Sequence, residues 1–270
     1  MDSICVSVPA SCRLFNAFVR VLFWAQAVVS FFLGGERCLR CGRWTFVSPL
    51  CGRCSSLFSS SASFSKRCRV CGKPLVSEIG TCTVCRNSFV VKSADGIFPI
   101  QTYRLWKKDL LFSWKMLGTR SLSPFFASAV ERRIRLVESR LSLSCLPVVP
   151  VPPRPGKMKD VGWDQVDDLC FYLKRGFGRR ILPLLVRKSR TQQKKLGREQ
   201  RLDGIGSSYF PVGEKKSRKL LGALFSGKIP NAVVLLDDVM TTGSTLEDCA
   251  EILKEMGVAH VYCVTLFTVA

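Results

Sequence analysis

Two adjacent aspartates, Asp237 and Asp238, follow the apolar run 232–236 and precede Thr241, Thr242, Gly243, Ser244 and Thr245, with Val239 and Met240 between. A ribose 2,3-diol offers two neighbouring hydroxyl donors, and consecutive carboxylates can accept from both. The short hydroxyl residues around Gly243 open a helix predicted over 246–256, where Leu246, Cys249, Ile252, Leu253 and Met256 recur at helical spacing. Hydroxyls and free amides at a helix start bind a phosphate dianion. Diol site and phosphate site side by side describe a phosphorylated pentose. The alternative is a polar strand end with no ligand.

Elements must hold this loop in place. The run 232–236, preceded by Pro230, suits a buried parallel strand. Gly257 ends the helix and 260–267 resumes a strand, so the segment reads as strand, loop, helix, strand, with the acids at the carboxyl edge where open α/β sheets bind ligands. Nearby, 222–228 imitates a nucleotide-binding P-loop, but Ile229 stands where a metal-binding hydroxyl is needed, Pro230 blocks a following helix and no strand clearly precedes it. The single histidine, His260, sits at a strand entrance, a turn or surface position, and no histidine-dependent nucleophilic constellation can be built elsewhere.

Eight of the fourteen cysteines fall into four C-x-x-C pairs: Cys38/Cys41, Cys51/Cys54, Cys68/Cys71 and Cys82/Cys85. Two thiolates three positions apart on a tight turn point at one ion, and two such knuckles complete a tetrahedral Cys₄ shell. With every ligand a cysteine and no open position, structural zinc is favoured over catalytic zinc. Sequential coupling gives two ribbons, 38/41/51/54 and 68/71/82/85, while spacing leaves a cross-braced pairing open. The linker 55–66, SSLFSSSASFSK, is serine-rich and reads as flexible or turn-forming. Free thiols agree with a reducing, cytoplasmic setting.

A hydrophobic content of 47% excludes a mainly disordered chain, and a formal charge of +21 points any large partner towards an anion, nucleic acid or acidic lipid. The charge concentrates over 154–219, which holds 18 Lys/Arg and 7 Asp/Glu. A solvated basic surface accounts for this as well as a phosphate-binding one does. Residues 14–33 are apolar but interrupted by Asn16, Arg20, Gln26 and Ser30, so a helix packed on protein is preferred to one in contact with a membrane, and a membrane association is left open.

The loop resembles the motif by which type I phosphoribosyltransferases hold phosphoribosyl pyrophosphate. That resemblance gives Asp237 and Asp238 the ribose and Thr241 to Thr245 the 5-phosphate. Combined with the cysteine array, the chain from 37 to 270 resembles the ComF family of competence-associated proteins. Val149-Pro150-Val151-Pro152 matches its V-P-V-P turn, the segment 103–118 with Trp114-Lys115 its aromatic-lysine element, and Gly162, Trp163, Asp164 and Gln165 its R-G-F-N-Q element. Here Val161 replaces the arginine and Asp164 the asparagine, which puts the acceptor pocket in question. The stretch 187–201, with Arg187, Lys188, Arg190, Thr191, Gln193 and Arg201, matches a further basic element. It reads either as a lid whose cations offset charge on leaving pyrophosphate or as a basic nucleic-acid patch.

The resemblance implies an α/β type I phosphoribosyltransferase fold, a mainly parallel sheet flanked by helices, over 91–270. Ahead of it come a zinc-ribbon module at 37–90 and an apolar N-terminal helix at 1–36. It further implies phosphoribosyl pyrophosphate with Mg²⁺, structural zinc, and pentosyl transfer with Asp237, Asp238, Arg187, Lys188 and Arg190 as candidate catalytic groups. The implied role is in DNA uptake during transformation, with single-stranded DNA and a helicase-like competence protein as partners. Two alternatives stay open: an adaptor of the same fold without transfer chemistry, and a purine or pyrimidine salvage enzyme.

Overall fold

In the computed structural model, which describes residues 35–188 and 208–269 apart from 47, 61–66, 69, 76 and 88–90, the two C-terminal apolar runs lie side by side in a parallel sheet. In chain order the elements are β1 (Glu36–Arg37), β2 (Trp44–Thr45), α1 (Gly52–Ser60), α2 (Thr83–Asn87), β3 (Gly96–Thr102), α3 (Trp106–Lys115), α4 (Leu122–Arg140), β4 (Val148–Pro150), α5 (Lys157–Val161), α6 (Gln165–Phe177), β5 (Leu185–Arg187), β6 (Tyr209–Pro211), α7 (Glu214–Phe225), β7 (Ala232–Met240), α8 (Ser244–Glu255) and β8 (His260–Thr268). The sheet order is β3-β8-β7-β4, parallel throughout. Pro150 is tolerated because β4 is the outer strand, its open side reaching Ile181 through one isolated bridge.

Alternation along the central strands sends side chains to two covered faces. Val234, Leu236, Val264 and Leu266 join α4 and α6 in a core around Trp114, Phe126, Ile134, Leu169 and Leu173. Val233, Leu235, Val261 and Cys263 meet Leu246, Cys249 and Leu253 of α8 on the other. The architecture is thus the expected α/β sheet between helices, with N-terminal cysteine clusters.

The serine-rich stretch departs from expectation. Its first half is helical, α1, and Phe58 is fully buried with Phe125, Phe126 and Phe267 at ring distances of 5.1, 5.9 and 6.3 Å. Serine is an indifferent helix former, but Cys51 and Cys54 fix the helix start and burial of one phenylalanine contributes roughly 2–3 kcal/mol, which outweighs the propensity. Cys38, Leu50, Cys51 and Cys54 belong to the same core as α4 and β8. The rest of the linker, 61–66, lies outside the described residues, as does 14–33. Among the described residues no helix is long and apolar enough to cross a membrane.

The P-loop look-alike dissolves in three dimensions. Gly222 lies inside α7, and Gly227, with φ at +81°, follows the end of that helix rather than opening one.

Candidate sugar-phosphate site and cysteine centres

β7 runs on past the apolar residues, through both aspartates to Met240, because β8 pairs beside it all the way: Asp237 opposes Thr265 and Met240 opposes Thr268. Both acids therefore project from a rigid strand. The chain then turns through Thr241 and Thr242, which are exposed, to Gly243, whose φ of +93° starts α8. A side chain is excluded there twice over, by that backbone angle and because a β-carbon would lie 2.5 Å from Val91 Cγ2. Thr242 Oγ1 and Ser244 Oγ are 3.1 Å apart, the Ser244 amide reaches Thr242 Oγ1 at 3.4 Å, and Gly243 as N-cap brings no side-chain cap, so hydroxyls cluster with the first-turn amides of α8. This is the arrangement that accepts a phosphate dianion. Leu246, Cys249 and Leu253 hold the helix on the sheet, and Ser93 clamps its first turn through Glu247, backbone amide to carboxylate at 2.9 Å and hydroxyl to carboxylate at 3.0 Å.

The acidic pair carries an electrostatic cost. Burial, then the neighbouring Asp238 carboxylate, lifts the Asp237 carboxyl from 3.8 to about 7, against the pull of the Asp238 amide, which donates to Asp237 Oδ1 at 2.8 Å, and of Lys115. The Asp164 carboxylate adds to the repulsion. Lys115 Nζ meets Asp238 Oδ2 at 2.7 Å. The sequence offered Lys115 only as part of an aromatic-lysine segment. Its pairing with an acid 123 positions away follows from the fold: Trp114 is fully buried, donates to Ser123 Oγ at 2.9 Å and packs edge-on against Phe126 and Trp163.

The 162–165 segment is a helix junction beside these acids. Gly162, φ +80°, ends α5; Trp163 is buried against Trp114; Asp164 caps α6, accepting from the Val166 and Asp167 amides at 2.9 and 3.1 Å. Lys157 binds both Asp164, at 2.5 Å, and the Gln165 side chain. Asp164 at the asparagine position thus serves the fold as N-cap and partner of Lys157. The side chains of Asp164 and Gln165 are therefore already engaged.

Arg187 ends β5, which pairs antiparallel with β6, and Lys188 donates its amide to Ser208 O at 2.9 Å. Arg187 lies over Tyr209 and Lys188 over Phe210, at 5.2 and 4.5 Å. β6 of this two-stranded stem packs on α8, with the Tyr209 side chain beside Thr245 of the hydroxyl loop. Arg190, Thr191, Gln193 and Arg201 lie outside the described residues, between the two strands of the stem. His260 is half exposed at the opposite end of β8, near Asp95 and stacked on Tyr262.

The cysteines assemble as sequential sets, 38/41/51/54 and 68/71/82/85, each with its four sulfurs within 4.8 Å of one another. This removes the cross-braced alternative. Only the first pair of each set forms a glycine knuckle: Gly42 and Gly72, at φ +69° and +68°, donate to Cys38 O and Cys68 O. The second pair instead straddles a helix start, Cys51 and Cys82 just before α1 and α2 and Cys54 and Cys85 within them. Sulfur separations of 3.6 Å (Cys41–Cys51) and 3.8 Å (Cys71–Cys82) match the edge of a zinc–thiolate tetrahedron, about 3.8 Å for bonds of about 2.3 Å. Although burial opposes it, the amides of Cys51, Cys41 and Arg40 draw Cys38 down to about 6, and those of Cys71, Cys82 and Val70 draw Cys68 to about 7, while burial pushes the Cys54, Cys71 and Cys85 thiols up, so each set holds a preformed thiolate and the raised thiols need an ion to lose their protons. The donors fit zinc as a structural ion. Gly72 lies so close to β3 that a β-carbon would meet Pro99 at 2.4 Å, and Arg67 donates to Pro99 O and Ile100 O, which docks the second set on the sheet edge.

Comparison with known proteins agrees with this geometry. A profile of the phosphoribosyl transferase domain matches residues 203–270, the segment of β6, α7, β7, α8 and β8. Competence protein ComFC of Streptococcus pneumoniae is 26% identical over 216 residues, covering 79% of this chain and 85% of the relative. Acid pair, hydroxyl loop, parallel sheet and twin cysteine sets, taken with these two likenesses, support a ComF-like protein with a phosphoribosyltransferase domain.

Proposed function

We propose that this site holds phosphoribosyl pyrophosphate together with Mg²⁺, and that the protein serves competence, as the name of its relative suggests, through the handling of incoming single-stranded DNA. The observation that carries the first part is the juxtaposition of Asp237 and Asp238 at the end of β7 with the uncapped, hydroxyl-rich start of α8. The carboxylates accept the ribose 2- and 3-hydroxyls, and Thr241 to Thr245 with the first amides of α8 take the 5-phosphate. Mg²⁺ bound with the pyrophosphate would neutralise charge on the leaving group. Arg187 and Lys188 stand on the stem beside the loop, in position to add positive charge on the same side.

Calorimetric titration with phosphoribosyl pyrophosphate and Mg²⁺ tests this reading. Binding that falls at least tenfold in Asp237→Asn and in Asp238→Asn supports it, and affinity unchanged by either substitution overturns it. One observation favours an adaptor over a transferase: Asp164 and Gln165 are engaged with Lys157 and the α6 amides instead of being presented to an acceptor base. Binding without pyrophosphate release across a panel of nucleobases would place the protein with adaptors, and release with one base would place it with transferases.

A further inference from the structure

Two ion pairs bear on Asp237: Lys115 with the adjacent Asp238, at 2.7 Å, and Lys157 with Asp164, whose charge Asp237 also feels. Lys157 is committed, held by both Asp164 and Gln165. Among the described residues Lys115 is ion-paired with one carboxylate, that of Asp238, whose side chain is 13% exposed, so the ammonium covers much of what a cation approaching that acid could reach. Its backbone is fixed by buried Trp114, yet its four-carbon side chain is 31% exposed and free to turn. Lys115 is also the last residue of α3, where carbonyl groups at the helix end offer the ammonium a second favourable place.

We propose that Lys115 is a displaceable counter-ion of the acidic pair, which competes at Asp238 with a divalent cation and yields when that cation arrives with the phosphorylated sugar. The inference rests on the reading of Asp237 and Asp238 as the sugar-binding acids. A bare divalent cation must break the 2.7 Å ion pair without other gain, whereas one carried by a sugar phosphate also brings the diol to Asp237 and the phosphate to α8. Lys115 therefore makes metal binding conditional on the sugar. It is a positioning and gating group, distinct from the cationic stem at Arg187 and Lys188.

The test uses the full-length, zinc-loaded protein and Mn²⁺ alone, read by electron paramagnetic resonance. Lys115→Met removes the charge from a partly exposed side chain of similar length, and is expected to bind Mn²⁺ roughly five- to thirty-fold more tightly than the parent. Lys115→Arg, which keeps the charge, is expected to match the parent, and the double variant Lys115→Met/Asp238→Asn to lose the gain. Unchanged or weaker Mn²⁺ binding in a folded Lys115→Met overturns the proposal. Titration of the same proteins with phosphoribosyl pyrophosphate separates this from the site assignment. Binding of the sugar by the parent without a Mn²⁺ gain in Lys115→Met leaves the sugar site standing and removes the counter-ion role. A Mn²⁺ gain without any sugar binding does the reverse.

Discussion

Asp237→Asn keeps the shape of the side chain and the hydrogen bond accepted from the Asp238 amide, and removes only the charge. Folding lifts this carboxyl from 3.8 to about 7, chiefly by burial and then by Asp238. At about 1.4 kcal/mol per pH unit, that displacement is worth up to roughly 4 kcal/mol, and the partial exposure of Asp237 reduces it to roughly 2–4 kcal/mol. The sign follows from which state ionises first. Below about pH 4 the carboxyl is protonated in folded and unfolded chains alike and costs nothing. As pH rises towards 7 the unfolded chain gives up the proton while the folded one still holds it, so wild-type stability falls and then levels off.

Asp237→Asn is therefore expected to be more stable than the wild type at pH 8, by an amount that shrinks progressively towards pH 4. Urea unfolding at pH 4.5, 6 and 8 measures it. The same substitution is expected to weaken phosphoribosyl pyrophosphate by at least tenfold, since an amide offers the diol a neutral acceptor in place of a charged one. For the wild type, sugar affinity is expected to rise with pH up to about 7, by at most tenfold per unit, as the carboxylate becomes available. A variant that is less stable at pH 8, or a gain that does not vary with pH, would refute the reasoning, because it would mean that Asp237 is not held at an electrostatic disadvantage. Asp238→Asn supplies the contrast: it relieves Asp237 of its neighbour's charge but strips Lys115 of its partner, so its gain at pH 8 is expected to be smaller than that of Asp237→Asn.

Gly243→Ala is expected to lower sugar-phosphate affinity at least tenfold, through a left-handed backbone at +93° and the clash with Val91. Adding Val91→Ala should relieve the clash but leave the backbone strain, so that calorimetry shows partial recovery. Metal analysis should find two zinc ions per chain, and strong chelation should lower the thermal midpoint of the whole protein in a single transition, because Cys51, Cys54 and Phe58 belong to the core shared with α4 and β8. On the same grounds Cys51→Ser should cost more stability than Cys85→Ser, a comparison that thermal melts of the two variants decide.

The elements legible in the sequence are those whose signals are local. The apolar run and the helical spacing after Gly243 place β7, α8 and β8 within a few residues, since a buried parallel strand and an amphipathic helix each announce themselves by periodicity. The continuation of β7 through two aspartates to Met240 is not local: acids are poor strand residues, and only the ladder to β8 keeps them extended. The same holds for α1, where serines argue for a loop and a phenylalanine four residues past a zinc ligand decides for a helix by finding a slot among Phe125, Phe126 and Phe267. Spacing alone left the pairing of the cysteine couples open, because a tetrahedron is indifferent to chain order, whereas docking of one set on α4 and of the other on β3 is not.

At the site itself, motif chemistry exposed the residues that touch a sugar phosphate but not those that set its charge. Lys115 and Asp164 come from separate segments, and each is drawn to the site by a tryptophan: Trp114 precedes Lys115, Trp163 precedes Asp164, and the two rings meet at 6.2 Å. Packing of two aromatic side chains thus places a cation and an anion around Asp237 and Asp238. A substitution that loosens this contact, such as Trp163→Ala, acts on the site through electrostatics as well as through stability, because it releases the groups that fix how readily Asp237 gives up its proton.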